Sequence, residues 1–526
     1  MPDPVRDRWH QVSQAPTRAG VDEPRPRTAD DLFAPPAPVT PPLDEKLRQA
    51  YFWLVNRAVI SPFYDVEFGD DAPVTFTLGD AGAELRLTGE QSYSSNVLIP
   101  LLTFAVGGRC LLVGGPGRGK TTLAVCLGVL AGSSAADVRR HVQQGQPQLT
   151  VSDLVGIPLP RDLVEAERLA DVRVAWRSWL TQPVKIVDEY NRIPTKTQSA
   201  LLTMVAERYV ESYDQVLSTT PEGGVESWYF TANDDSGGGT FPVIQALQDR
   251  MDVTVAVLGF NHRFLDELVA RVEAGERPEE HLPAEIVFTP AEQIAVTTAV
   301  RAVPVPAPVR RQVEFFASHF DFLQHGGRQL EYRTKDTVAT AGGSVPEIVE
   351  QNDGADLEVD PGAQTVSGIS VRALQTLITY AKAMAWFRGA EAVGTDDVAA
   401  VLPFVLRGKL RPNTLHPRFE RDADAPLALD QVSWLRDLFT SSVRQHEALG
   451  LATDDPVGVL LAELDRGLEG VGAAEARSRL TRVEQVVASV AATGKLYGRH
   501  YDDLLACKYL HQRYRSYLRW LESRPR

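Results

Sequence analysis

The segment Gly114-Gly-Pro-Gly-Arg-Gly-Lys120-Thr121 fits G-x-x-x-x-G-K-[ST], and it stands between an apolar run, Cys110-Leu-Leu-Val113, and a helical pattern running from Lys120 through Leu130. A strand, a glycine loop and a helix in that order are what a phosphate cradle needs. Glycines let the backbone curl so that its N–H groups point inward, and the helix N-terminus adds positive potential. Lys120 can reach β- and γ-phosphates, and the Thr121 hydroxyl can ligate Mg²⁺. The residues expected against a nucleotide are Gly114, Gly115, Pro116, Gly117, Arg118, Gly119, Lys120, Thr121 and Thr122. A glycine-rich turn that merely contains a lysine would not need this context.

A second apolar run, Val184-Lys-Ile-Val187, delivers two adjacent carboxylates, Asp188 and Glu189, about 70 residues after the loop. Ligands of open parallel sheets bind at the C-terminal ends of strands, where such a pair would stand. Asp188 is the expected Mg²⁺ carboxylate. Side chains alternate along a strand, so Glu189 is expected to point the other way and polarise the attacking water as general base. Alone, Asp-Glu after a strand reads as a solvated strand end. Downstream of a phosphate loop it reads as hydrolytic.

At 526 residues the chain exceeds one ordinary domain. The Pro-, Asp- and Arg-rich residues 1–40 cannot bury enough apolar surface to offset their ordering, so they read as a disordered arm. Residues 41–88 read as a helix, Leu43 to Val59, and a hairpin of Val74–Leu78 with Ala83–Thr88. Residues 89–285 alternate short apolar runs with helical stretches, the pattern of a parallel sheet covered by helices. The strands expected are Cys110–Val113, Val184–Val187, Trp228–Ala232 and Val253–Val257. Residues 286–412 read as helical, interrupted by a polar, irregular insertion at about 326–368, and residues 428–526 as helical with one break near Ala452 to Pro456.

The balance of 54 basic and 69 acidic side chains, a net charge of −15, argues against a main ligand that is a polyanion. No apolar run reaches the roughly 20 residues that cross a bilayer, and Met1 to Thr28 lacks the apolar stretch of a secretory signal. Cys110, Cys126 and Cys507 show no metal-ligand spacing and read as buried small hydrophobes. The cytoplasm is the expected compartment.

The stretch Asp188-Glu-Tyr-Asn-Arg-Ile-Pro-Thr-Lys-Thr-Gln-Ser-Ala-Leu-Leu202 resembles the D-E-I-N-R-A-P-P-K-T-Q-S-A-L-L of the MoxR family of AAA+ ATPases. Gly239-Thr-Phe-Pro242, Gln248-Asp-Arg250, Pro147 to Gly156, Val303-Pro-Val-Pro306 and Gly368-Ile-Ser-Val-Arg372-Ala-Leu374 also resemble that family, over roughly Leu87 to Leu410. The resemblance implies a three-layer αβα P-loop core with a parallel sheet, a helix-2 insert at about 148–181, an α-helical lid and then the C-terminal helical region. It implies that Asn233 is the water-holding sensor 1, that Arg250 is an arginine finger for a neighbouring subunit, and that Arg372 is sensor 2 from the lid. Arg192 lies in the matched stretch and is expected near a subunit boundary. It further implies ATP and Mg²⁺ as cofactors, a homohexameric ring, and remodelling of a protein client, often a von Willebrand factor A-domain protein.

Two features depart from the family: the insertion carrying Glu347, Glu350, Asp353, Asp356, Glu358 and Asp360, and the sequence Asn233-Asp-Asp-Ser-Gly after sensor 1. Trp176 and Trp179 in the insert read as packing residues. In Lys508 to Trp520, the spacing of Leu505, Tyr509, Tyr517, Trp520 and Leu521 predicts a helix packed on the body, with its arginines in solvent. The alternatives to a protein remodeller are a nucleic-acid motor, which the charge disfavours, and a nucleotide-gated scaffold, which the carboxylate pair disfavours.

Overall fold

The computed structural model describes residues 41–523, apart from 70–72, 81–82, 88–90, 169–170, 222–223, 234–244, 351–359, 422–423, 453–454, 494–495 and 497. The arm at 1–40, the Gly239–Pro242 match, Asp234, Asp235, Asp353, Asp356 and Glu358 therefore lie outside the described residues.

Five strands form the central sheet: β1 Arg109–Val113, β2 Gln143–Gln144, β3 Val184–Asp188, β4 Ser227–Ala232 and β5 Val253–Ala256. Their spatial order is β5-β1-β4-β3-β2, all parallel. The four long strands are the apolar runs expected from sequence, because strands covered on both faces need Val, Ile, Leu and aromatic residues at nearly every position. β2 is two glutamines and carries no such signal. Alternate residues feed opposite layers. Cys110, Leu112, Ile186, Tyr229 and Val255 join one core, and Leu111, Val187, Trp228 and Phe230 the other. Cys110 and Cys126 are unpaired and buried, and burial pushes the Cys126 thiol up to about 12.

The register sets the site. β4 lies between β1 and β3, with Ala232 opposite Val113 and Phe230 opposite Val187. The C-terminal ends of all three strands thus meet on one edge, bringing residues 114, 188 and 233 together.

Between the strands stand two antiparallel hairpins, Gly156–Pro158 with Val174–Trp176 and Tyr209–Ser212 with Gln215–Ser218. The expected insert thus carries a hairpin as well as short helices. Trp179 is buried there, donates to Leu154 O at 2.7 Å and meets Trp228 edge-on, as a packing residue should. Beneath the second hairpin, Lys185 and Glu226 form a buried ion pair at 2.8 Å. Lys185 also donates to the carbonyls of Gln182 and Thr219, which satisfies an ammonium that burial would otherwise expel.

The helix Leu43–Arg57 ties this core to the helices that follow. Arg48 donates to Phe387 O at 2.6 Å, Lys46 pairs with Glu292 at 2.8 Å, and Tyr51 packs edge-on against Tyr93 and Phe387. The helices Pro290–Ala302, Ala307–Ser318, Val371–Phe387 and Thr395–Leu406 follow in the region where the sequence leads one to expect a helical lid. The insertion at 326–368 is not irregular throughout. It holds the helices Lys335–Thr340 and Val345–Glu350 around a small core of Leu323, Val338, Val345, Val349 and Ala363. A few valines at helical spacing suffice, and the acidic residues around them hide the pattern.

The C-terminal region contains Gln431–Ala448, Pro456–Asp465, Ala473–Ala491 and Gly498–Ser523, so breaks follow residues 448, 465 and 491. In the last helix the buried stripe is Cys507, Leu510, Tyr514 and Leu518, not the expected one. Tyr509 and Trp520 are exposed. The intervals of 3, 4 and 4 keep one face toward the helix Ala473–Ala491, whereas residues 509 and 520 project to its sides.

Candidate nucleotide site

The loop after Val113 has the form its glycines permit. Gly117 and Gly119 have φ of 73° and 78°, a region costly for residues with a β-carbon. At Gly114 a β-carbon would press on the carbonyl of Val257. Gly114 N donates to Ala232 O at 3.2 Å and Arg118 Nη1 to Val257 O at 3.1 Å, so β4 and β5 hold the loop from both sides. The helix Lys120–Leu130 starts at Lys120, as expected, and aims its first N–H groups at the cradle. Pro116 and Thr122 lie in the same loop and first turn.

Lys120 is buried, and its Nζ donates to Gly114 O at 2.6 Å, Gly115 O at 2.8 Å and Asn233 Oδ1 at 2.9 Å. Thr121 Oγ1 donates to Asp188 Oδ1 at 2.9 Å. A hydroxyl and a carboxylate on two elements make an all-oxygen donor set, which suits a hard cation such as Mg²⁺ that keeps water and phosphate as its other ligands.

The strand ends at Asp188, and Glu189 turns into the left-handed region at φ 51°, ψ 45°. Alternation along a strand therefore does not direct Glu189, contrary to the sequence expectation. A third residue does. Thr231 Oγ1 accepts from Glu189 N at 2.9 Å and donates to Asp188 Oδ1, fixing the backbone of one carboxylate and the oxygen of the other. Sequence reasoning missed Thr231. Its signal was a hydroxyl two residues before Asn233, on the same face of β4. Asn233 Nδ2 then donates to Glu189 Oε1 at 2.5 Å, and Arg192 Nη1 pairs with Glu189 Oε2 at 3.2 Å. Asp188, Glu189, Asn233, Lys120 and Thr121 thus form one connected cluster.

Arg250 and Arg372 are elsewhere. Arg250 ends the helix Gln245–Arg250, just ahead of the N-terminal end of β5. Arg372 pairs with Asp249 of that helix at 3.0 Å. Its own helix continues through Thr376, bonded to Asp252 Oδ1 at 3.3 Å, and Tyr380, bonded to Thr103 Oγ1 at 2.9 Å. Asp252 in turn accepts from Arg109 N at 2.8 Å, at the start of β1. The phosphate loop leaves the other end of that strand, about 13 Å away at the rise of an extended chain. In this structure Arg372, expected as sensor 2, is held by Asp249 and does not join the cluster of Lys120, Thr121, Asp188, Glu189 and Asn233. A cleft of about 820 Å³ separates Asn191 and Asn233 from Lys335, Ser370 and Lys409 of the lid side.

Residues 109–253 match the model of the ATPase family associated with various cellular activities (AAA), and residues 362–428 that of the AAA lid domain. The chain is 26% identical over 325 residues to Chaperone MoxR1 of Mycobacterium tuberculosis, covering 62% of this chain and 72% of the relative. A crystal structure of a candidate ATPase from Cytophaga hutchinsonii superposes with a TM-score of 0.50 at 18% identity, covering 75% of this chain and 94% of the other. That likeness concerns the fold.

Proposed function

This chain belongs to the MoxR family of AAA+ ATPases, and from that premise we propose that it couples ATP binding and hydrolysis to chaperone-like remodelling of a partner protein. The observation that carries the proposal is the cluster in which Lys120, Asn233 and Glu189 are linked in series and Thr121 meets Asp188. In this reading the inward-facing loop N–H groups and Lys120 hold the β- and γ-phosphates. Thr121 and Asp188 hold Mg²⁺, which when bound neutralises charge on the phosphate oxygens. Glu189 accepts the proton of the attacking water, and Asn233 orients that water from the neighbouring strand.

Arg250 and Arg372 stand at the far end of the sheet, which supports a ring in which each chain offers both guanidinium groups to its neighbour's γ-phosphate. A homohexamer acting on a von Willebrand factor A-domain protein is the assembly we propose. We take the cytoplasm as its compartment, a reading supported by three unpaired cysteines. Among the described residues no helix is long and apolar enough to cross a membrane.

The test is Glu189→Gln. It should retain ATP binding, abolish hydrolysis and hold the client long enough for co-purification and identification. Undiminished hydrolysis would remove Glu189 as the base.

A further inference from the structure

A line of side chains runs from the phosphate loop to the protein surface: Lys120 to Asn233 at 2.9 Å, Asn233 to Glu189 at 2.5 Å, and Glu189 to Arg192 at 3.2 Å. It begins at a buried ammonium and ends at a guanidinium side chain that is 42% exposed. The two carboxylate oxygens of Glu189 are divided along it, Oε1 toward the loop and Oε2 toward the surface. The backbone leaves the carboxylate little choice. Glu189 is held at φ 51° by Thr231, and the turn Tyr190–Arg192 is closed by Arg192 N donating to Glu189 O at 2.9 Å.

The two ends differ in what a bound phosphate would do to them. A γ-phosphate offers Lys120 anionic oxygens, which compete with the neutral amide oxygen of Asn233 because charge-assisted bonds are the stronger. That competition loosens the inner end. Arg192 does not touch the loop in this structure, so its hold on Oε2 persists. A general base must turn an oxygen toward the water within hydrogen-bond reach, and a guanidinium gripping the carboxylate from the surface side opposes that rotation.

We propose that Arg192 is a positioning residue that draws Glu189 away from the attacking water and so restrains turnover. The proposal rests on Glu189 being the base. It makes Arg192 a brake rather than part of the nucleotide-contacting set.

The experiment compares the full chain with Arg192→Ala and Arg192→Lys, measuring steady-state ATP hydrolysis, Mg-ADP affinity by calorimetry, and melting temperature. A half-exposed ion pair of this kind corresponds to a rate factor of about two- to fivefold. Arg192→Ala should therefore raise kcat by that factor, with KM, ADP affinity and melting temperature unchanged. Arg192→Lys, which restores a cation at that position, should return kcat toward the parental value. An unchanged or reduced kcat in Arg192→Ala would overturn the proposal, and so would a rise that Arg192→Lys fails to reverse. A fall in melting temperature or ADP affinity would overturn it too, by making Arg192 structural. The double variant Glu189→Gln/Arg192→Ala separates the two readings: it should be inactive, and residual hydrolysis there would instead remove Glu189 as the base.

Discussion

Arg372 and Asp249 form an ion pair at 3.0 Å on the side of the molecule where β5 begins, not where the phosphate loop lies. The pair joins the lid helix Val371–Phe387 to the short helix that ends in Arg250. Arg372 so held lies outside the cluster formed by Lys120, Glu189 and Asn233 of its own chain. In the ring proposed above it serves a neighbour's nucleotide instead.

That geometry predicts complementation. Arg250→Ala should lower kcat by about 10³-fold, the scale of an arginine finger, while the chain still binds ATP. Lys120→Ala should be inactive because it cannot hold the phosphates. Mixed together, the two variants should recover activity, since some boundaries would pair an intact loop with an intact Arg250. Titrating one variant against the other at constant total protein reads this directly; a mixture no more active than its components would exclude a shared site.

Thr231 makes the second prediction. Thr231→Val keeps the shape of the side chain but leaves Glu189 N without its acceptor and takes from Asp188 Oδ1 one of its two hydroxyl donors, Thr121 remaining. A buried group left unsatisfied costs about 1–3 kcal/mol. We expect a stability loss of that size by urea denaturation, together with a fall in kcat greater than any change in KM. Thr231→Ser should restore both. If Thr231→Val turns over ATP at the parental rate, the hydroxyl is not what sets Glu189.

Lys335 gives a pH signature. Its ammonium is fully buried and donates to Gly362 O at 2.7 Å and to Thr365 O at 2.9 Å. Burial draws its pKa down to about 8 from an ordinary 10.5, partly opposed by Asp360 and Asp321. Between these two values the unfolded chain binds more protons than the folded one, so this lysine makes stability rise with pH across that window. Against a Lys335→Met variant, the stability difference should shift in the parent's favour between pH 8 and 10. Denaturation curves at the two pH values check this, and parallel behaviour of the two proteins would contradict it.

The phosphate loop and the long strands were legible because their constraints are local. Residues 114–121 carry the glycines that a φ near 75° demands at Gly117 and Gly119, next to an apolar run that only a covered sheet accepts. The carboxylates were legible as types, and Asn233 and Arg250 through a resemblance in sequence. The buried stripe of the last helix was misjudged because aromatic and apolar residues occur on more than one face, and packing against Ala473–Ala491 chose among them. The helices inside 326–368 were obscured because their small core is assembled from scattered valines.

By itself, then, the sequence determined a phosphate cradle, a carboxylate pair and a parallel α/β core, since each depends on neighbours within a few residues. Only the tertiary structure decided how Glu189 is aimed and where Arg372 stands. The first depends on the left-handed turn after β3 and on hydrogen bonds from Thr231 and Asn233, which reach Glu189 only because β4 pairs beside β3. The second depends on which end of the sheet the lid helix covers, and that was settled by Asp252 and Thr103 meeting Thr376 and Tyr380 more than 120 residues away in the chain. Contacts of that range leave no period or motif to read.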